Sequence, residues 1–227
     1  MLKPQKRLTR AEKKHMKEDK LVTFWFKAIE WIEQYQQYLL GGIVAVVLIV
    51  AGVYWFKNYK AGQEQNASVM FANAKRLYDS QNYNAAVDSL VRMTNAYNGT
   101  PSAGVGTVYL ANAFMFKKDY KVAEDYYRKY LDDYGDDPIL SAAASAGIAA
   151  TFDERGDFAK AAGLYETAAK EFSESYRAPQ LLMDAARCYR LAQKGDAALK
   201  ALAELVEKYP KSKFVEEAKL MQAELKS

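Results

Sequence analysis

A chain of 227 residues, 50% hydrophobic and 26% charged, is long enough for one or two cores and too balanced to be disordered, collagen-like or a small disulfide scaffold. Its formal charge of +4 is confined to one end: residues 1–33 hold nine basic and five acidic side chains, and residues 57–227 hold equal numbers of each sign, which argues against nucleic acid as a partner. Cys188 is the only thiol and His15 the only imidazole, so a disulfide, a cysteine cluster, a Ser/His/Asp triad and a multi-histidine zinc site are all excluded within one chain. The phosphate-loop, dinucleotide and HExxH motifs are absent as well. The expectation is a protein that is not an enzyme and carries no cofactor or metal, with His15 exposed and Cys188 a small core residue.

Residues 1–20 read as a basic tail. In residues 21–37, Val22, Trp25, Ile29 and Ile32 share a helical stripe flanked by Phe26, and Lys27, Glu30, Glu33 and Gln34 lie largely opposite. That pattern predicts an amphipathic helix lying on membrane lipid, or one packed on a membrane partner. Next comes LLGGIVAVVLIVAGVYWF, Leu39 to Phe56, 18 residues without charge or proline. At 1.5 Å per residue it spans roughly 27 Å, the thickness of a bilayer's hydrocarbon. Tyr38 on one side and Tyr54, Trp55 and Tyr59 on the other are placed as an aromatic belt, with Lys57 and Lys60 beyond. Residues 38–57 are therefore expected to be an uncleaved signal anchor. Gly41, Ala45, Leu48 and Gly52 form a stripe of mostly small residues on which a second membrane helix would pack. Basic residues dominate before the span, so the N-terminus is expected in the cytoplasm and residues 58–227 outside it. For a bacterium with two membranes, that means a single-pass inner-membrane protein with a periplasmic domain.

The remainder is repetitive. Ala74, Ala111, Ala149 and Ala186 recur at spacings of 37, 38 and 37, each followed twelve residues later by Ala86, Ala123, Ala161 or Ala198. Three residues after the first alanine stands Leu77, Phe114, Phe152 or Tyr189, and four after the second stands Leu90, Tyr127, Tyr165 or Leu202. Each unit closes on Tyr97, Tyr134, Phe172 or Tyr209. Small residues on facing helices let backbones approach, and the large ones a turn away fill the space beside them. Turn-forming clusters at 79–82, 118–119, 156–157 and 195–196 separate the paired helices. The fold predicted is all-α: an amphipathic helix and a membrane helix, then a solenoid of four helical hairpins at about 67–97, 104–134, 142–172 and 179–209, closed by a capping helix at 213–226.

These offsets resemble the tetratricopeptide repeat (TPR). The period is longer than the family's, the initial tryptophan position holds Met70, Thr107, Ser145 and Leu182, and the closing proline survives only as Pro210. The resemblance implies that positions two, five, nine and twelve of each first helix line a binding groove. Here these include Phe71, Lys75, Tyr78, Val108, Asn112, Met115, Asp153, Met183, Arg187 and Arg190, and a shift of one residue would place several in the core instead. The lysine and asparagine pattern of carboxylate-clamp TPR domains is not reproduced, since Phe71 stands where a lysine is needed. The order of basic tail, signal anchor and TPR domain is similar to the YfgM-like family of ancillary translocon subunits. That likeness implies association with the SecYEG channel, with a PpiD-like membrane-anchored chaperone and with unfolded or nascent secretory chains. The alternative expectation is a scaffold for envelope or outer-membrane assembly. Asp132, Asp133, Asp136 and Asp137 lack calcium-loop spacing and read as a solvated turn.

Overall fold

The computed structural model describes the backbone of residues 10–226 and, within that range, the side chains of all but residues 11–19, 21 and 39. The N-terminal half of the basic tail and the His15 side chain lie outside the described residues. The chain divides into two compact units between Tyr59 and Lys60. Among the described residues there are nine helices and no strands.

In the first unit, α1 (Arg10–Asp79) runs without a turn between the segment 21–37 and the apolar segment 38–57. No proline falls there, and Gly41 and Gly42 are accommodated inside the helix. The helix from Leu40 onward carries an 18-residue stretch of mean hydropathy 2.0, none of it buried against protein, which is long and apolar enough to cross a membrane. Large apolar side chains are exposed around this helix, among them Val22, Trp25, Phe26, Ile29 and Ile32, together with Phe24 and Trp31. Gly41 and Gly52 have open space where a Cβ would stand, and Ala45 and Leu48 are exposed too.

The second unit is a run of antiparallel hairpins. The C-terminal part of α1 pairs with α2 (Tyr83–Ala96), α3 (Pro101–Phe116) with α4 (Tyr120–Tyr134), α5 (Pro138–Glu154) with α6 (Phe158–Glu171), and α7 (Ala178–Leu191) with α8 (Gly195–Lys208), and α9 (Val215–Lys226) caps the end. From α2 onward each helix packs on the next, and Ala74 of α1 shares a core with Leu90, Met93 and Leu110. All eight repeat alanines are fully buried. A larger side chain at any of them would force two backbones apart.

The four hairpin turns share one geometry. Gln81, Lys118, Gly156 and Gln193 hold φ of 61°, 62°, 79° and 59°, and only one of the four is glycine. After each, an N–H reaches back five residues to the carbonyl of Leu77, Phe114, Phe152 or Tyr189, at 2.8–3.0 Å. This double-bonded closure satisfies the last carbonyls of the helix. Gly195, which marks a turn in the sequence, is instead the first residue of α8, and Gln193 takes the left-handed position. The starts of α2, α3, α5 and α6 are capped by side chains: Asn82 Oδ1 accepts from Ala85 N, and Thr100 Oγ1 from Ala103 N, with Pro101 following. Asp137 accepts from Ile139 N at 2.8 Å, and Asp157 caps α6.

The closing aromatics tie neighbouring repeats. Tyr134 Oη donates to Asn98 Oδ1 at 2.7 Å and accepts from Gly99 N at 3.0 Å, and Tyr209 Oη donates to the Ser173 carbonyl at 2.9 Å. Glu64 accepts from both N–H (3.1 Å) and Oγ (2.5 Å) of Ser102, which holds the start of α3 against α1. Glu124, 6% exposed, accepts from Arg128 of its own helix and Arg155 of the next hairpin, at 2.9 and 3.3 Å.

Candidate partner-binding face

On α1, Phe71, Lys75 and Tyr78 follow one another on one helical face at spacings of four and three. Tyr109 and Phe116 of α3 and Tyr83 of α2 meet them. The Tyr109 ring lies edge-on to Phe71 and Tyr78, 5.1 Å from each. Tyr78 also meets Tyr83 at 5.5 Å and Phe116 at 5.9 Å. Phe116 stacks on Tyr83 at 4.8 Å and is 58% exposed. The Lys75 ammonium pairs with Asp79 at 2.6 Å and sits 5.9 Å from the Tyr109 ring. Burial, with the nearby Tyr83, Tyr109 and Asp79, pushes the Tyr78 hydroxyl up to about 12, so it stays a neutral donor at physiological pH. The result is a wall of five rings with a cation at its edge, half-exposed and apolar, suited to the side chains of an extended or amphipathic peptide.

The C-terminal hairpins carry a polar counterpart. Asp153 of α5 is gripped by Arg187 of α7 through both guanidinium nitrogens, and Arg190 meets Glu224 of α9 at 3.2 Å. Asp184 is half-buried and faced by Asp153 from α5, Tyr165 from α6, Arg187 from its own helix and Glu217 from α9. Burial raises its carboxyl to about 6, and Arg187 opposes that rise while Asp153 and Glu217 add to it. Burial also pushes the Cys188 thiol up to about 12, which removes the thiolate character that reactivity needs.

The expected groove residues thus fall into three groups. Phe71, Lys75 and Tyr78 come together in the aromatic wall, Asp153 and Arg187 pair between the third and fourth hairpins, and Arg190 pairs with Glu224 of the capping helix. Asn112 accepts a hydrogen bond from the Tyr127 hydroxyl, and Met115 packs half-buried against the core. Val108 and Met183 are turned inward, 5% and 6% exposed. In each case the following residue, Tyr109 or Asp184, carries the more open surface. Phe116 after Met115 and Leu191 after Arg190 are likewise exposed. The exposed side chain thus stands one residue later than the repeat offsets indicate at Val108 and Met183, whereas after Asn112 and Arg187 the next residues, Ala113 and Cys188, are fully buried. Tyr83, Tyr109 and Phe116 are the residues that sequence reasoning missed; Tyr109 and Phe116 stand directly after the chosen Val108 and Met115, and Tyr83 opens the second helix of the first hairpin. Among the described residues no group of three or more His, Cys, Asp or Glu is placed to hold a metal ion.

Stacked helical hairpins with buried small residues at fixed offsets and half-exposed side chains along their first helices define an α-solenoid interaction domain. The model of the tetratricopeptide repeat-like domain family matches residues 29–179, and that of the tetratricopeptide repeat matches residues 148–213. The chain belongs to the tetratricopeptide repeat-like domain family. A comparison with curated proteins finds no match. Among solved structures it is similar to a tetratricopeptide repeat protein from Parabacteroides merdae, with 15% identity, 71% of this chain and 60% of that one covered, and a TM-score of 0.57. It is also similar to the TPR-like repeats of a putative kinesin light chain from Podosopora anserina, with 14% identity, 71% and 86% covered, and a TM-score of 0.57. At these identities the likeness is one of fold alone.

Proposed function

We propose that this protein is a non-enzymatic, membrane-anchored scaffold that associates with the Sec translocon and uses its TPR domain to hold a periplasmic chaperone or emerging secretory chains. The observation that carries the reading is one helix able to span a bilayer, followed by a TPR domain whose α1, α2 and α3 present the wall of Phe71, Tyr78, Tyr83, Tyr109 and Phe116. Mixed aromatic surface with a few charges suits partners that vary in sequence. The order of tail, span and repeats, similar to that of the YfgM-like family, supports SecYEG and a PpiD-like chaperone as the partners. In this reading the chain sits once in a bacterial inner membrane with its repeats in the periplasm. The segment 21–37 lies on lipid or on the channel, and Gly41, Ala45, Leu48 and Gly52 face a second membrane helix.

The test is gentle detergent extraction of the tagged full chain from its own cells, followed by identification of what co-purifies. Sec channel subunits and a membrane-anchored prolyl isomerase are expected, with the isomerase reduced several-fold when Tyr109 and Phe116 are both changed to alanine. Recovery of cell-wall or outer-membrane assembly proteins alone would overturn the translocon assignment.

A further inference from the structure

The loops joining α6 to α7 and α8 to α9 are built alike. In the first, Ser175 N–H donates to the Phe172 carbonyl at 2.8 Å and Ala178 N–H to the Ser175 carbonyl at 3.0 Å. In the second, Ser212 N–H donates to the Tyr209 carbonyl at 2.9 Å and Val215 N–H to the Ser212 carbonyl at 3.2 Å. Each serine Oγ also accepts an N–H from two residues on, Arg177 in one loop and Phe214 in the other, both at 3.3 Å. Because those oxygens are engaged as acceptors, each hydroxyl hydrogen is left to donate elsewhere.

Between the two loops lies a cleft of about 1030 Å³. Its charged lining is Lys208, Lys211 and Lys213 against Glu174 alone. Lys208 leans to Glu204 at 2.8 Å, the Lys213 ammonium stands 5.0 Å from the Phe214 ring, and Lys211 makes no ion pair among the described residues. Apolar surface is supplied by Pro179, Phe214 and Tyr176, the last 71% exposed. None of these residues belongs to the aromatic wall on α1 to α3.

We propose that this cleft is a second docking site, and that its occupant is an acidic peptide segment of a partner protein. Lys211 and Lys213 take its carboxylates, the Ser175 and Ser212 hydroxyls donate to them, and one large apolar side chain lies against Tyr176 and Phe214. Charge complementarity selects the sign of the ligand, and the rings beside the lysines select a peptide over a flat anionic surface. A bilayer presents its charge in a plane, whereas a peptide enters between two loops and meets both.

Binding is measured by fluorescence anisotropy, with the full chain in micelles of an uncharged detergent and fluorescein-labelled Glu-Glu-Trp-Glu-Glu as the probe. Saturable binding is expected that weakens several-fold as salt screens the lysines. It should fall at least tenfold in K211E/K213E and stay unchanged in K200E and in Phe116→Ala. Tyr176→Ala should weaken the tryptophan probe several-fold and leave Glu-Glu-Ala-Glu-Glu unaffected. Circular dichroism melts check that the variants fold, with K211Q/K213Q as the substitute if the double glutamate variant does not. Binding that K211E/K213E leaves intact would overturn the proposal, as would an inert peptide alongside phosphatidylglycerol vesicles that bind through the same lysines.

Discussion

Gln81, Lys118 and Gln193 occupy a backbone region where a Cβ crowds the following carbonyl, at a cost of about 1–2 kcal/mol. The equivalent fourth position is Gly156, which carries no such strain. Gln193→Gly and Lys118→Gly should therefore each raise stability by about 0.5–1 kcal/mol, less than the full strain because glycine also loosens the unfolded chain. Gly156→Ala should lower it by about 1 kcal/mol. Denaturant melts of the full chain in detergent check all three. Asp184 gives a prediction with a sign in pH. Its carboxyl is raised to about 6 in the folded protein against an ordinary 3.8, so the native state holds this proton more tightly than the unfolded chain does. The group's contribution is neutral below about pH 4, becomes increasingly destabilising as pH rises from about 4 to 6, and is constant above that. Asp184→Asn should be more stable than the wild type by roughly 1–2 kcal/mol at pH 7.5, allowing for the site's partial exposure, and equal to it near pH 4. A difference that does not change with pH would contradict this assignment.

At the scale of elements, the helix pairs were readable because their determinants are local and recur. The eight alanines mark where two backbones meet, and each is fully buried. The face that α3 and α5 present was not readable. Both are apolar or small over most of their circumference and uncharged until the last residues of α5, so no polar stripe fixes which side is inward. Close approaches made by glycine settle it instead. A Cβ on Gly106 would overlap the Met93 methyl, and one on Gly147 the Tyr127 ring. Tyr127 is 4% exposed and its hydroxyl is held by Asn112, so the ring has nowhere to go. Gly147→Ala should cost about 1–3 kcal/mol by overpacking, with Gly163→Ala, where the space is open, as the neutral or slightly stabilising control. The turns show the complementary lesson: the hydrogen-bonded closure does not require glycine, so Gln81, Lys118 and Gln193 carried no sequence signal for it.

The whole molecule joins an apolar helix to a charge-balanced repeat domain. The +4 excess belongs to the N-terminal segment and bears on topology, leaving the ligand of the repeats to be argued from the aromatic wall and the lysine-lined cleft. In the proposed topology, a Cys188→Ala background carrying Ser68→Cys should react with a membrane-impermeant maleimide in spheroplasts, and one carrying Lys20→Cys only after lysis. The reverse pattern would invert the anchor. The central claim is that the wall on α1 to α3 is where a partner sits. The most direct measurement places a photocrosslinking amino acid at Phe116 in living cells, with the exposed Asp88 of α2 as the comparison position. The account predicts a discrete protein adduct from Phe116 that is lost when Tyr109 is also changed to alanine, and none from Asp88. Equal adducts from both positions, or none from Phe116, would contradict it.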